Sequence, residues 1–157
     1  MELYVPIRDV SGGGPPLTGE VIDDLEMELG FELPVEYRNF LLKHNGGVPE
    51  PPYFPMGETN SSELAHFYCV GGDEPSYDVG PLTKSQRGSE IPPELMPIGI
   101  DAGGNDICLG VLGRRRGKVY FLDHEIGAIR GGKPTYANVR RIAGSFSKFI
   151  KSFRELP

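Results

Sequence analysis

Residues 95–124 read LMPIGIDAGGNDICLGVLGRRRGKVYFLDH, three short apolar runs divided by DAGGN and GRRRG. Apolar runs of this length, bounded by glycine clusters, have the signature of strands. Dividers this short join consecutive strands as hairpins, so the stretch predicts an antiparallel meander. Its first divider admits three chemistries. A calcium loop of the EF-hand type needs oxygen ligands at alternate positions ending in a bidentate glutamate, and DAGGND is short, lacks that glutamate and lies between strands. A phosphate loop leads from a strand into a helix N-terminus, whereas DICLGVL continues as a strand. A β-turn accounts for every residue, with Gly103 and Gly104 supplying positive φ and Asp101 and Asn105 bonding nearby backbone amides. Asp101, Gly103, Gly104 and Asn105 are therefore expected to be structural. The second divider, with Arg114 to Lys118, is expected to be a solvated basic tip that discourages association of sheet edges.

Upstream, Ile22, Leu25 and Leu29 recur at helical spacing after Glu20 and run to Gly30, a residue suited to a left-handed cap. LPVEYRNFLLKHNGG then places Pro34 at a first helical position and Glu36 in the first turn, where the helix dipole favours negative charge. Val35, Tyr37, Phe40 and Leu41 give it an apolar face, and Asn45-Gly46-Gly47 ends it. The two helices read as a hairpin. VPEPPYFP carries four prolines and predicts no regular element. ELAHFYCVGG reads as a strand, and the mixed region from Asp73 to Pro93 holds a short helix around Val79 to Ser85. Downstream, Ile142, Phe146, Phe149, Ile150 and Phe153 fall on one helical face and predict a C-terminal amphipathic helix with Lys148, Lys151 and Arg154 toward solvent. The expected fold class is α+β: a mainly antiparallel central sheet flanked by an N-terminal helical hairpin and a C-terminal amphipathic helix.

A chain of 157 residues suits one domain, expected to span 1–157. Residues 1–19, with an apolar start at Leu3, Val5 and Ile7 followed by SGGGPPLTG, are expected to be an irregular leader. No apolar run approaches the ~18 residues of a membrane helix. MELYVPIRDV has neither the basic nor the apolar region of a signal peptide, so the expected location is cytoplasmic with no membrane partner. Cys69 and Cys108 stand apart in apolar surroundings and are expected to be buried thiols, with no metal and no cofactor implied. No repeat or heptad run sets an oligomeric state. The net charge of -6 divides unevenly: residues 1–110 hold nineteen acidic and five basic side chains, and residues 111–157 hold three and eleven. An acidic surface repels nucleic acid and attracts basic proteins, so no direct nucleic-acid partner is expected.

The densest titratable group is Asp123-His124-Glu125. Adjacent strand residues point to opposite faces, so these three converge only where the strand has ended. An enzyme built on Asp101, Asp106, Asp123, His124 and Glu125 is the weakest of the functional readings, since no nucleophile elbow or zinc motif accompanies them. Loop carboxylates tell more. Glu58, Glu63, Asp73, Glu74 and Asp78 accompany Tyr53, Phe54 and Tyr77, and aromatic anchors ringed by charge are the composition of a protein interface. Those eight residues are the expected partner-binding set.

Three blocks in order, IDDLEMELGFELPVEYRNFLLKHNGG, LMPIGIDAGGNDICLGVLGRRRGKVYFLDHE and IAGSFSKFIKSF, resemble the SUKH superfamily, which groups the yeast Smi/Knr regulator domain with many bacterial immunity proteins. The resemblance implies an α+β fold, no catalytic activity, and binding of a cognate toxin from a contact-dependent or secreted system, a basic nuclease domain being the expected class. The other reading it implies is a Smi/Knr-type regulatory scaffold that binds an endogenous protein. That branch usually carries long disordered arms, and their absence from these 157 residues favours the stand-alone immunity reading.

Overall fold

In the computed structural model, which describes residues 7–156, the chain forms in order β1 (Asp9–Ser11), α1 (Gly19–Leu29), α2 (Val35–Lys43), β2 (Val48–Glu50), β3 (Tyr53–Pro55), β4 (Ser61–Phe67), α3 (Val79–Gln86), β5 (Leu95–Asp101), β6 (Asp106–Gly110), β7 (Val119–Leu122), β8 (Ile129–Arg130), β9 (Lys133–Pro134), β10 (Val139–Ala143) and α4 (Phe146–Lys151). Leu3 and Val5 lie outside the described residues. The architecture is α+β. The predicted meander is present as β5, β6 and β7, with Leu95 opposite Gly110 and Cys108 opposite Tyr120. It forms the middle of a six-stranded sheet ordered β10-β7-β6-β5-β4-β3, in which every neighbouring pair is antiparallel.

Side-chain alternation divides the core between the two faces of this sheet. Met96, Ile98, Ile107, Leu109 and Val119 point to one face and are buried against Ile22, Leu25, Tyr37, Leu41, Phe146 and Phe149 of the helices. Leu95, Cys108, Tyr120 and Leu122 point to the other and make a smaller cluster with Ile91. In β4 the register shifts between Leu64 and His66, which lets Leu64 and Phe67 both enter the helical side although they are three residues apart.

The ends of α1 are set locally: Thr18 Oγ1 accepts from the Val21 amide at 3.3 Å, and Gly30 takes φ 85° and donates to the Glu26 carbonyl at 2.9 Å. Pro34 sits one position earlier than expected, as the cap preceding α2. Arg38 of α2 ties the two helices together through Glu26 at 2.9 Å and Asp23 at 2.8 Å.

Three expectations need correction. The leader is not wholly irregular, because β1 pairs with β2, Val10 opposite Pro49. VPEPPYFP contains both β2 and β3; proline is tolerated on edge strands, where one side has no ladder to feed, and β3 is the outer strand of the sheet. The C-terminal helix is only Phe146–Lys151, since Val139–Ala143 forms the opposite edge strand against β7. Gly144 and Ser145 separate the two, with Ser145 Oγ accepting from the Lys148 amide at 3.1 Å.

The sheet is curled so that its edges meet. Arg140 on β10 donates to the Met56 carbonyl beside β3 at 3.4 Å. Beyond α4, the Arg154 amide donates to the Tyr53 carbonyl at 2.8 Å, so α4 links the two edges. Phe149 and Phe153 fill the space beneath, with ring centroids 5.4 and 5.6 Å from that of Phe54.

Candidate functional site

The face turned away from the helices carries the sheet's least ordinary side chain. Asp106 opens β6 on the same side as Cys108, opposite Ile100 on one neighbour and Leu122 on the other. The preceding turn fixes its position. Asp101 Oδ1 accepts from the Gly103 and Asn105 amides at 3.0 and 2.7 Å, and Oδ2 accepts from Ser62 at 2.8 Å. Of the two glycines, Gly104 alone has positive φ, at 85°. The Asn105 side chain accepts from the His124 amide at 3.0 Å, and the His124 ring lies 2.8 Å from the Gly103 carbonyl. A carbonyl only accepts, so His124 Nε2 carries the proton there.

Asp106 and His124 line a cleft of about 360 Å³ together with Glu90, Ile91, Ile126 and Ile129. Burial pushes the Asp106 carboxyl up to about 6; the Tyr68 hydroxyl, which donates to it at 3.3 Å, and the nearby His124 pull it down, while Glu90 and Asp101 push it further up. From buried Tyr68 an aromatic row leads outward: half-buried His66 stacks edgewise on Tyr68 at 5.6 Å and on exposed Tyr77 at 4.3 Å. Burial holds the His66 imidazole below its ordinary range, and its buried Nε2 has no hydrogen-bond partner among the described residues. Tyr77, 48% exposed, then borders a second groove of about 420 Å³ lined by Gly13, Gly14, Cys69, Asp73 and Glu74.

The family model described as SMI1 / KNR4 family (SUKH-1) matches residues 16–152. The chain belongs to this family. It is also similar to the SPbeta prophage-derived uncharacterized protein YokK of Bacillus subtilis (strain 168), with 31% identity over 158 residues, covering 89% of this chain and 76% of the relative.

On this SUKH-1 fold the eight expected partner-binding residues do not form one patch. Asp73, Glu74 and Tyr77 meet at the second groove. Asp78, beside them, is spent on structure: Oδ1 caps α3 through the Gly80 amide at 3.2 Å, and Oδ2 accepts from the Gly71 amide at 3.1 Å. Tyr53 and Glu63 are cross-strand partners on the outer hairpin, and Glu58 lies in its turn, at the opposite end of β4. Phe54 is fully buried, because alternation in β3 turns it inward onto Phe149 and Phe153, and it has no surface to offer a partner. The basic hairpin is also less free than expected. Arg115 stacks on Tyr136 at 3.7 Å, and Arg116 donates to the Glu32 carbonyl at 2.6 Å. The β6–β7 hairpin is central in the sheet, so its tip packs on neighbours instead of guarding an edge.

Sequence reasoning passed over Tyr68, His66, Glu90, Ile126 and Ile129 as site residues. The one available signal was Asp106, a carboxylate opening an otherwise apolar strand. Among the described residues, no group of three His, Cys, Asp or Glu side chains is placed to hold a metal, and no helix is long and apolar enough to cross a membrane.

Proposed function

We propose that this SUKH-1 chain is an immunity protein that binds a cognate toxin, with a basic nuclease domain of a contact-dependent or secreted system as the target. The observation that carries this reading is the family match over residues 16–152, since SUKH proteins are often immunity proteins and generally act by binding. The prophage origin of the 31%-identical relative supports a role tied to mobile elements. The surface supports a basic target: two clefts bear Asp73, Glu74, Glu90 and Asp106, and exposed Tyr77 borders the second, backed by half-buried His66 and buried Tyr68. Nuclease domains are commonly basic because their substrate is polyanionic, and an acidic inhibitor gains association rate from that charge.

A rescue assay tests the reading. The chain is co-expressed with the toxic C-terminal domain encoded beside it in its source genome, and viability is scored. Survival only when the chain is present is expected. Death in both cases, with the chain folded and soluble, overturns the immunity role and directs attention to a scaffold function.

A further inference from the structure

Asp106 sits in a cleft of mixed polarity, where Asn138 and His124 stand beside Ile91, Leu122, Ile126 and Ile129, and its one duty within the fold is to accept from the buried Tyr68 hydroxyl. Its carboxylate accepts one hydrogen bond, from Tyr68, and among the described residues no lysine or arginine pairs with it or with Glu90. The His124 ring is engaged with the Gly103 carbonyl. A largely buried carboxylate without a lysine or arginine partner opposes folding at neutral pH, in keeping with its raised protonation range. Groups retained at such a cost are concentrated where something binds.

The walls specify what would enter. Ile91 and Leu122 floor the cleft, while Ile126 and Ile129, 49% and 51% exposed, stand at its rim as apolar surface with nothing covering it. Exposed Glu90 adds a second negative charge. At about 360 Å³ the cleft is near the lower limit of small-ligand sites. An apolar floor and rim beside two carboxylates, with His124 and Asn138 completing the wall, fits a long side chain that buries methylenes and carries a cation at its end.

We infer that the Asp106 cleft is a receptor pocket for one basic side chain, arginine or lysine, projected by a protein partner: the stem packs on Ile126 and Ile129, and the cation pairs with Asp106 and Glu90. This deepens the protein-binding reading above and rests on it for the partner, although not for the pocket.

The test uses the full chain labelled with nitrogen-15 and titrated at matched ionic strength with Nα-acetyl-arginine amide, Nα-acetyl-lysine amide and the uncharged Nα-acetyl-citrulline amide. Saturable amide shifts confined to residues around Glu90, Asp106, His124, Ile126 and Ile129 are expected for at least one cationic probe. Citrulline should give at least tenfold weaker binding, and Asp106→Asn should weaken the cationic probe by the same factor while remaining folded. Shifts scattered over the acidic surface, equal binding of citrulline, or full binding to Asp106→Asn overturn the pocket. The two proposals fail separately: localised probe binding with no rescue removes the toxin and keeps the pocket, whereas rescue without probe binding removes the pocket alone.

Discussion

The Asn45 side chain pairs in both directions with the backbone of Val70, Nδ2 donating to its carbonyl at 2.8 Å and Oδ1 accepting from its amide at 2.7 Å. Nδ2 also donates to the Pro15 carbonyl at 2.7 Å, so one buried amide joins the glycine-rich leader, the end of α2 and the chain leaving β4. The glycines beside it serve the same junction. Gly46 has φ 74°, and a Cβ there would stand 2.5 Å from the Tyr68 carbonyl oxygen. Asn-Gly-Gly is thus more than a helix stop.

Asn45→Ala should therefore be among the most destabilising single changes. It strands the Val70 amide and carbonyl in a buried site and releases the partly exposed Pro15 carbonyl, which on the usual cost of unpaired buried groups amounts to roughly 3 kcal/mol. Urea unfolding should show a lower midpoint with an unchanged slope. A loss under about 1 kcal/mol would mean that water replaces the amide without penalty.

The same junction shows what the sequence exposed and what it concealed. Local rules were readable: the β5–β7 meander, the Gly30 cap and the Asp101 turn are each decided within a few residues. Features settled by distant packing were not. Ile142 lies four residues before Phe146 and mimics helical spacing, yet the two fall on either side of a strand-to-helix break at Gly144 and Ser145. The strand is an exposed edge with weak alternation, so its periodicity carried little signal. β3 lay hidden beneath its prolines for the same reason, being an edge whose existence depends on β4. The Asp106 cleft needed the register of two neighbouring strands, together with Glu90 from a remote turn and Ile129 from β8, before it existed at all.

Asp106 should leave a signature in stability against pH. Its carboxyl titrates near 6 in the folded chain, above the ordinary value of 3.8, so the folded state holds this proton more tightly than the unfolded one. The sign is the reverse of a salt-bridged aspartate: its contribution is most favourable below about pH 4 and is lost as pH rises through about 6. Asp106→Asn removes the ionisation and should stabilise the chain at pH 7.5 by roughly 1 to 3 kcal/mol, with little gain at pH 4. Denaturant midpoints at the two pH values measure the difference; an equal effect at both would separate Asp106 from the titration.

Arg38 offers a graded test of ion pairing. It is three-quarters buried, bonded to Glu26, which is also largely covered and accepts from the Leu33 amide at 2.6 Å, and to the well-exposed Asp23. Arg38→Met should cost roughly 1 to 3 kcal/mol because it leaves Glu26 without its cation. Asp23→Asn should cost under about 0.5 kcal/mol, as exposed pairs are weak. Thermal unfolding of both variants in low and high salt checks this: only the Asp23 effect should fade with salt.

Charge steering divides along β4, because Glu58 and Glu63 belong to the outer hairpin while Asp73 and Glu74 border the groove at the other end. Neutralising all the loop acids together would mix the two ends and would also disturb the Asp78 cap of α3, so the pairs are best changed separately. If the partner docks over Tyr77 and the aromatic row, Asp73→Asn with Glu74→Gln should lower its association rate by roughly three- to tenfold at low salt, and the deficit should vanish at high salt. Glu58→Gln with Glu63→Gln should change the rate by less than about twofold at about 0.1 M salt, where the Debye length is about 10 Å and the length of β4 separates those charges from the groove. Stopped-flow association with the rescued toxin domain distinguishes the ends. A rate that responds to the hairpin pair and ignores Asp73 and Glu74 moves the docking surface to β3 and β4, and the aromatic row then loses its role in recognition.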